Sequence, residues 1–260
     1  MNARDNEGPE TIDALRAEID RVDERLLQLV TERIGLGRRV AAAKAAAGET
    51  GFGYRPAREL ALVRKLVAQV GDGAPPPALS VIWRALMAAN LAQQGPFKVV
   101  ATPDAAPAAR AAFGAGAQPD IMTATLALAH AAGDEHCLAV LPFPRHDGHD
   151  WWRLLDDPRF SEIRIVAAAP IVRPADGLPD VLVLSTRQPE AAGEDHSVLI
   201  LSGAAPRAAL ALRGLHTTLA AEDGPLQLVL ADGFLAGDDP RLSPGPGLDA
   251  VRACGAFAFA

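Results

Sequence analysis

The chain has 260 residues, 49% hydrophobic and 22% charged, a balance that suits one or two packed domains and excludes wholesale disorder. A net charge of −7 and an aromatic content of only 5% remove the basic footprint of a duplex-DNA binder and the stacking platform of a single-strand binder. The opening Met1–Glu10 is polar and acidic, unlike a signal peptide, and no apolar run approaches the ~20 residues that span a bilayer. Cys137 and Cys254 form neither a Cys-x-x-Cys pair nor a disulfide framework. A soluble cytoplasmic protein is the expectation.

Charge is unevenly spread. Residues 1–97 hold 13 Lys+Arg and 12 Asp+Glu, whereas residues 98–260 hold 12 and 20. The pattern changes at Gln93-Gln-Gly-Pro-Phe97, from helical spacing to short apolar runs with Pro/Gly punctuation, which sets the expected domain boundary near Pro96.

The first helix is expected from Thr11, a capping residue, to about Ala47. Leu15, Ile19, Val22, Leu26, Leu29, Arg33, Leu36 and Val40 alternate in steps of four and three, a heptad seam that predicts a long helix packed along its length. At 1.5 Å per residue it would run roughly 50 Å. A 97-residue bundle of short helices cannot cover such a stripe, so a second chain is expected. Gly48, Gly51 and Gly53 break the helix. Pro56 suits the first turn of a second helix reaching Val70, with Leu62, Leu66 and Val70 on one face. After the stiff Gly71–Pro77 connector, a third helix over Ala78–Gln94 places Leu79, Ile82, Leu86, Ala89/Asn90 and Gln93 on one side.

Arg33 holds a seam position where Leu would pack better. Alone, it reads as a register-setting or snorkelling residue. Lys44 lies eleven residues on, only about 20° away around the helix. Arg58 and Glu59 follow the loop, and Gln93 lies on the inner side of the third helix. Together these place cations, a carboxylate and an amide on elements that pack together. The fitting ligand is a small polyanion, because guanidinium groups grip carboxylates in a two-pronged fork. Arg16 sits seventeen residues before Arg33, about 25 Å along the same helix. It is either a surface residue or part of a site completed by an antiparallel partner chain.

The ordered set Leu15-Arg16, Ile19-Asp20, Asp23, Leu26-Leu27, Glu32-Arg33, Lys44, Arg58-Glu59 and Gln93-Gln94 resembles the all-helical class of chorismate mutase, the type fused to prephenate dehydratase in bacteria. The resemblance covers about residues 10–97. It implies an intertwined three-helix homodimer and the rearrangement of chorismate to prephenate, without cofactor or metal. By this resemblance, Arg16 of the partner chain and Arg33 hold the two substrate carboxylates. Lys44 and Gln93 donate to the ether oxygen, Glu59 accepts from the ring hydroxyl, and Arg58 supports a carboxylate. Where the family often has an acidic residue this chain has Arg55, and where it often has a small hydroxyl residue this chain has Ala89. Both are expected beside the substrate. Gln93 donates without needing a proton, so activity is not expected to require acidic pH.

Beyond the boundary, strands are expected at Phe97–Ala101, Cys137–Phe143, Ile163–Ala167, Val181–Ser185, Ser197–Leu201, Leu226–Leu230 and Cys254–Phe259, with a helix at Ala105–Gly114: an α/β region. Their order resembles a degenerate prephenate dehydratase over residues 98–190, then a degenerate ACT-like domain over 191–260. Pro179-Asp180 stands where the dehydratase family carries its catalytic hydroxyl and cation, and Pro144-Arg145-His146 replaces an Asn-Ser turn. No dehydratase activity is therefore expected, and the usual ligand-loop residues for phenylalanine sensing are missing. His136, Cys137, His146 and His149 lack the spacing of a zinc site and read more simply as residues around a turn. Trp151-Trp152 reads as a docking or core anchor rather than a ligand stack.

The leading expectation is thus a chorismate mutase of the phenylalanine and tyrosine route with a non-catalytic tail: an amino-terminal all-α dimer plus a carboxy-terminal α/β region. Its partners are chorismate and a second copy of itself, with no nucleic acid or membrane. An isochorismate pyruvate lyase on the same fold is the alternative enzyme. A helical dimer carrying a sensor or docking domain is the non-enzymatic one.

Overall fold

The computed structural model describes residues 11–48, 51–145 and 150–260. They divide into two compact units, Met1–Thr50 and Gly51–Ala260. The first is a single helix, α1 (Ile12–Ala46). Thr11 caps it as the sequence predicts, its Oγ1 accepting from the Ala14 N–H at 3.2 Å. Asp13 in the first turn and Lys44 in the last both oppose the helix dipole's end charges. The seam side chains are uncovered in the single chain, with Ile19 60%, Leu26 51% and Leu29 61% exposed.

The second unit opens with α2 (Pro56–Val70) and α3 (Pro76–Ala92), each started by a proline at its first turn. The apolar faces they bury differ from those the spacing suggested. On α2 the buried residues are Leu60 and Val63. On α3 they are Ser80, Met87, Ala88 and Leu91, while Ile82 stays 53% exposed. α3 is apolar around most of its girth, so periodicity alone did not single out the face that would be covered. Leu60, Val63 and Met87 pack with Ile171 and Ala258 of the α/β region. The compositional boundary near Pro96 is therefore not a boundary of packing, since α2 and α3 share a core with the residues beyond it.

The α/β residues form one nine-stranded sheet. Its strands are β1 (Lys98–Ala101), β2 (Asp120–Ile121), β3 (Cys137–Pro142), β4 (Arg164–Ala169), β5 (Val181–Ser185), β6 (His196–Ser202), β7 (Thr217–Asp223), β8 (Leu226–Asp232) and β9 (Ala250–Phe257), in the order β2-β1-β3-β5-β4-β9-β6-β8-β7. β1 is parallel to β2 and β3. Helices α4 (Ala106–Phe113) and α5 (Ala124–Gly133) form the crossovers that parallel pairing requires. Strands covered on both faces read as continuous apolar runs. In β3, Leu138 and Val140 face one cluster with Phe113 and Leu91, while Cys137, Ala139 and Leu141 face another with Trp151 and Trp152. Trp152 is 2% exposed and the Trp151 indole donates to the Pro142 carbonyl at 2.8 Å, so this pair is a core anchor.

The last four strands, with α6 (Pro206–Leu212) after β6, follow a β-α-β-β-β path and lie in the order β9-β6-β8-β7. This is the split-βαβ arrangement, except that a 3-10 turn at Pro240–Leu242 takes the place of a second helix. The two halves of the sheet meet at one pairing, Ile165 of β4 against Gly255 of β9. No helix among the described residues is long and apolar enough to cross a membrane.

Candidate active site

Three of the expected site residues stand on α1. Arg16 is exposed and paired with Asp13 at 3.3 Å, a surface ion pair of small energetic weight. Arg33 is partly buried, and Lys44 lies in the final turn. From Arg33 to Lys44 the rise is about 16 Å with the two nearly in line along the helix.

The other residues lie in the second unit, where α2 and α3 carry them. Arg55 is the residue before the first turn of α2, and Arg58 and Glu59 occupy that turn. Arg58 is exposed. Arg55 is engaged by Glu190 from the loop between β5 and β6, its Nη2 lying 3.3 Å from both carboxylate oxygens. The substitution that sets this chain apart from the usual acidic residue thus ties α2 to the α/β region. Glu59 Oε2 accepts from Arg84 Nη1 at 2.6 Å, with the two side chains only 16% and 14% exposed. Ala89 is half-buried on α3, and Gln93 is exposed at its C-cap.

Arg84 had no place in the sequence reading. The available signal was a lone cation inside the apolar stretch Pro76–Ala92, and its partner is 25 residues away. The Arg84 guanidinium lies over the Phe113 ring, 5.2 Å from its centroid, a cation–π contact. Burial works against its charge, yet Glu59 and Tyr54 more than offset that and raise its proton affinity above the ordinary value. Burial likewise pushes the Tyr54 hydroxyl above its ordinary value, with Arg84 opposing.

Two hollows in the α/β region do not suit a dicarboxylate. The space beside Tyr54, Leu60, Arg84, Glu190, Asp195 and Phe257 encloses about 30 Å³, room for a single water. An open groove of about 620 Å³ is lined by Thr125, Trp151, Arg153, Asp150, Asp156 and Asp157. Arg153 is held by Asp223 at 2.5 Å, leaving an acidic surface that repels a dianion. Among the described residues no group of three or more His, Cys, Asp or Glu is arranged to hold a metal. His146 and His149 lie outside the described residues. The His136 ring lies tilted against that of Phe52, with centroids 5.6 Å apart, and Cys137 is buried as the first residue of β3.

Residues 15–95 match the family model of chorismate mutase type II. The match spans about a third of the chain and takes in Arg16, Arg33, Lys44, Arg55, Arg58, Glu59, Ala89 and Gln93. It also crosses the division between the two compact units, and within it α2 and α3 share part of their core with the α/β region. Among solved structures, the chain is similar to a prephenate dehydratase from Streptococcus mutans, at 16% identity over 63% of this chain and 98% of that one, with a TM-score of 0.45. It is also similar to GqqA, described as a novel type of quorum quenching acylase, at 16% identity over 62% of this chain and 95% of that one, with a TM-score of 0.42. Likenesses this loose carry no activity across to the residues that follow the matched segment. A comparison with curated protein sequences gave no significant match.

Proposed function

We propose that this protein is a chorismate mutase, converting chorismate to prephenate on the route to phenylalanine and tyrosine, and that it works as a cytoplasmic homodimer. The observation that carries the reading is the family match over residues 15–95, a segment that contains Arg16, Arg33, Lys44, Arg58, Glu59 and Gln93. In this reading Arg33 and the partner chain's copy of Arg16 bind the two carboxylates in bidentate fashion, and Arg58 reinforces one of them. Lys44 and Gln93 donate to the ether oxygen, where negative charge grows as the carbon–oxygen bond breaks. Glu59 accepts from the ring hydroxyl. The rearrangement is unimolecular and pericyclic: it asks for the compact reactive conformer and for donors aimed at the developing charge.

The exposed seam of α1 supports the dimer. Seven apolar side chains from Leu15 to Val40, each at least 41% exposed, cost free energy unless covered, at about 25 cal/mol per Å² of apolar surface. The tail is proposed to be non-catalytic. Its open groove is acidic, and Asp180 is taken up in the sheet, its N–H donating to Ala169 and its carbonyl accepting from Phe143.

The test is conversion of chorismate to prephenate by the purified full chain, beside Arg33→Ala and Lys44→Ala variants of unchanged helicity and mass. Activity in the wild type and a loss of ~10²–10³-fold for Lys44→Ala are expected. A folded, dimeric wild type without activity would sink the proposal. Assaying isochorismate in parallel separates a mutase from a pyruvate lyase, and phenylpyruvate formed from prephenate would overturn the non-catalytic tail.

A further inference from the structure

We propose that Arg84 is a positioning residue of the mutase site, holding the Glu59 carboxylate where it can accept the substrate's ring hydroxyl. This rests on the reading of Glu59 as that acceptor and adds a residue that none of the site expectations contained.

Glu59 belongs to the first turn of α2, and Arg84 is the only cation on α3. Their 2.6 Å bond joins the two helices through side chains that are both mostly shielded from water, where a charge-assisted bond is strong and a lost partner costly. Arg84 is itself held on two sides. Phe113 of α4 lies under its guanidinium, and Tyr54, 1% exposed, lines the same small space. A guanidinium fixed in this way restricts the carboxylate it grips, and a carboxylate offers about four acceptor sites, so the bond to Arg84 does not by itself exhaust them.

The chemistry explains why the grip matters. To accept from a hydroxyl, Glu59 must be ionised. A shielded carboxylate deprived of its cation takes up a proton more readily and becomes a donor. Arg84 also draws the α/β region into the site, because Phe113 and Tyr54 share a cluster with β1, β3 and β5. The tail then acts as a brace for the reaction without touching the substrate.

The experiment measures kcat and KM for chorismate with the full chain as wild type, Arg84→Met, Arg84→Lys, Glu59→Gln and the Arg84→Met/Glu59→Gln double variant. Thermal unfolding is recorded for each. Methionine keeps the apolar stem over Phe113 and removes the charge, and Arg84→Lys carries the test should Arg84→Met not fold. Arg84→Met is expected to lower kcat about 10–100-fold with KM changed less than about threefold, and lysine to restore part of the loss. The double variant is expected to be no slower than Glu59→Gln alone, since the two residues act as one unit. A merely structural role for Arg84 would instead give losses that multiply in the double variant, and that result overturns the proposal. So does Arg84→Met at wild-type kcat, or Glu59→Gln without effect in an active enzyme; both leave the mutase reading standing. A folded wild type inactive on chorismate removes that reading and this one with it.

Discussion

Replacing Gly255 with alanine should break the sheet at its midpoint. Gly255 of β9 pairs with Ile165 of β4, the one register position that joins the two halves. A Cβ added there would lie 2.1 Å from the Ile165 carbonyl oxygen and 2.6 Å from its nitrogen. These are backbone atoms of a buried strand and cannot swing aside as a flexible side chain could. Gly255 also has φ +128°, a conformation that costs other residues ~1–3 kcal/mol. Relieving the overlap means moving β9 from β4 and leaving buried backbone groups without partners, at ~1–3 kcal/mol each. The total is ~3–5 kcal/mol, at the severe end for one substitution. At ~2–4 °C per kcal/mol for a unit of this size, Tm should fall by ~6–20 °C. Gly237→Ala is the matched control, because nothing lies within 4 Å of its added Cβ and a change under ~0.5 kcal/mol is expected. Differential scanning calorimetry on the two variants and the wild type decides it. A Gly255→Ala protein melting within ~2 °C of wild type would refute the account of how the halves are joined.

Arg64 of α2 donates from Nε and Nη2 to the Phe259 carbonyl at 3.0 and 2.6 Å, from Nη2 to Gly193 at 2.8 Å, and from Nη1 to Ala192; Arg64→Ala should cost ~3 kcal/mol in denaturant unfolding, and a loss below ~0.5 kcal/mol would contradict this clamp. Burial pushes the Cys137 and Cys254 thiols up to about 11 and about 12, so at pH 8 only ~10⁻³ or less of either is thiolate. An aromatic disulfide reagent should therefore label neither in the native protein and both in denaturant, and rapid native labelling would contradict the burial. Leu26→Lys on the exposed seam should weaken the proposed dimer by at least ~100-fold in Kd, since each dimer loses two buried leucines at ~1.5–3 kcal/mol apiece. Sedimentation showing equal masses for variant and wild type would remove the seam as the interface.

Local pattern carried much of this protein. α1 was legible from end to end because its 4-3 spacing, capping Thr11 and terminating glycines all act within one or two turns. The α2 range, Pro56–Val70, was legible for the same reason, and apolar runs announced β1, β3, β4, β5, β6, β8 and β9, though not the two-residue β2. The ordered set from Arg16 through Lys44 to the Arg58-Glu59 pair carried the resemblance to chorismate mutase, which the family match over residues 15–95 supports. What pattern could not carry is partnership. β7 is a half-polar edge strand, Thr-Thr-Leu-Ala-Ala-Glu-Asp, that becomes a strand by pairing with β8. Periodicity shows that a helix has an apolar face but not which neighbour covers it, and so the buried faces of α2 and α3 emerged only with the α/β region against them. Nothing local to Arg55 announced its pairing with Glu190, far along the chain. Arg84 is unremarkable in sequence, and folding brings it within 2.6 Å of Glu59. The sequence determined most of the elements and carried the family resemblance, because both reside in the order of residues along the chain. The tertiary structure decided which charges meet, because contacts between distant residues leave no local period to read.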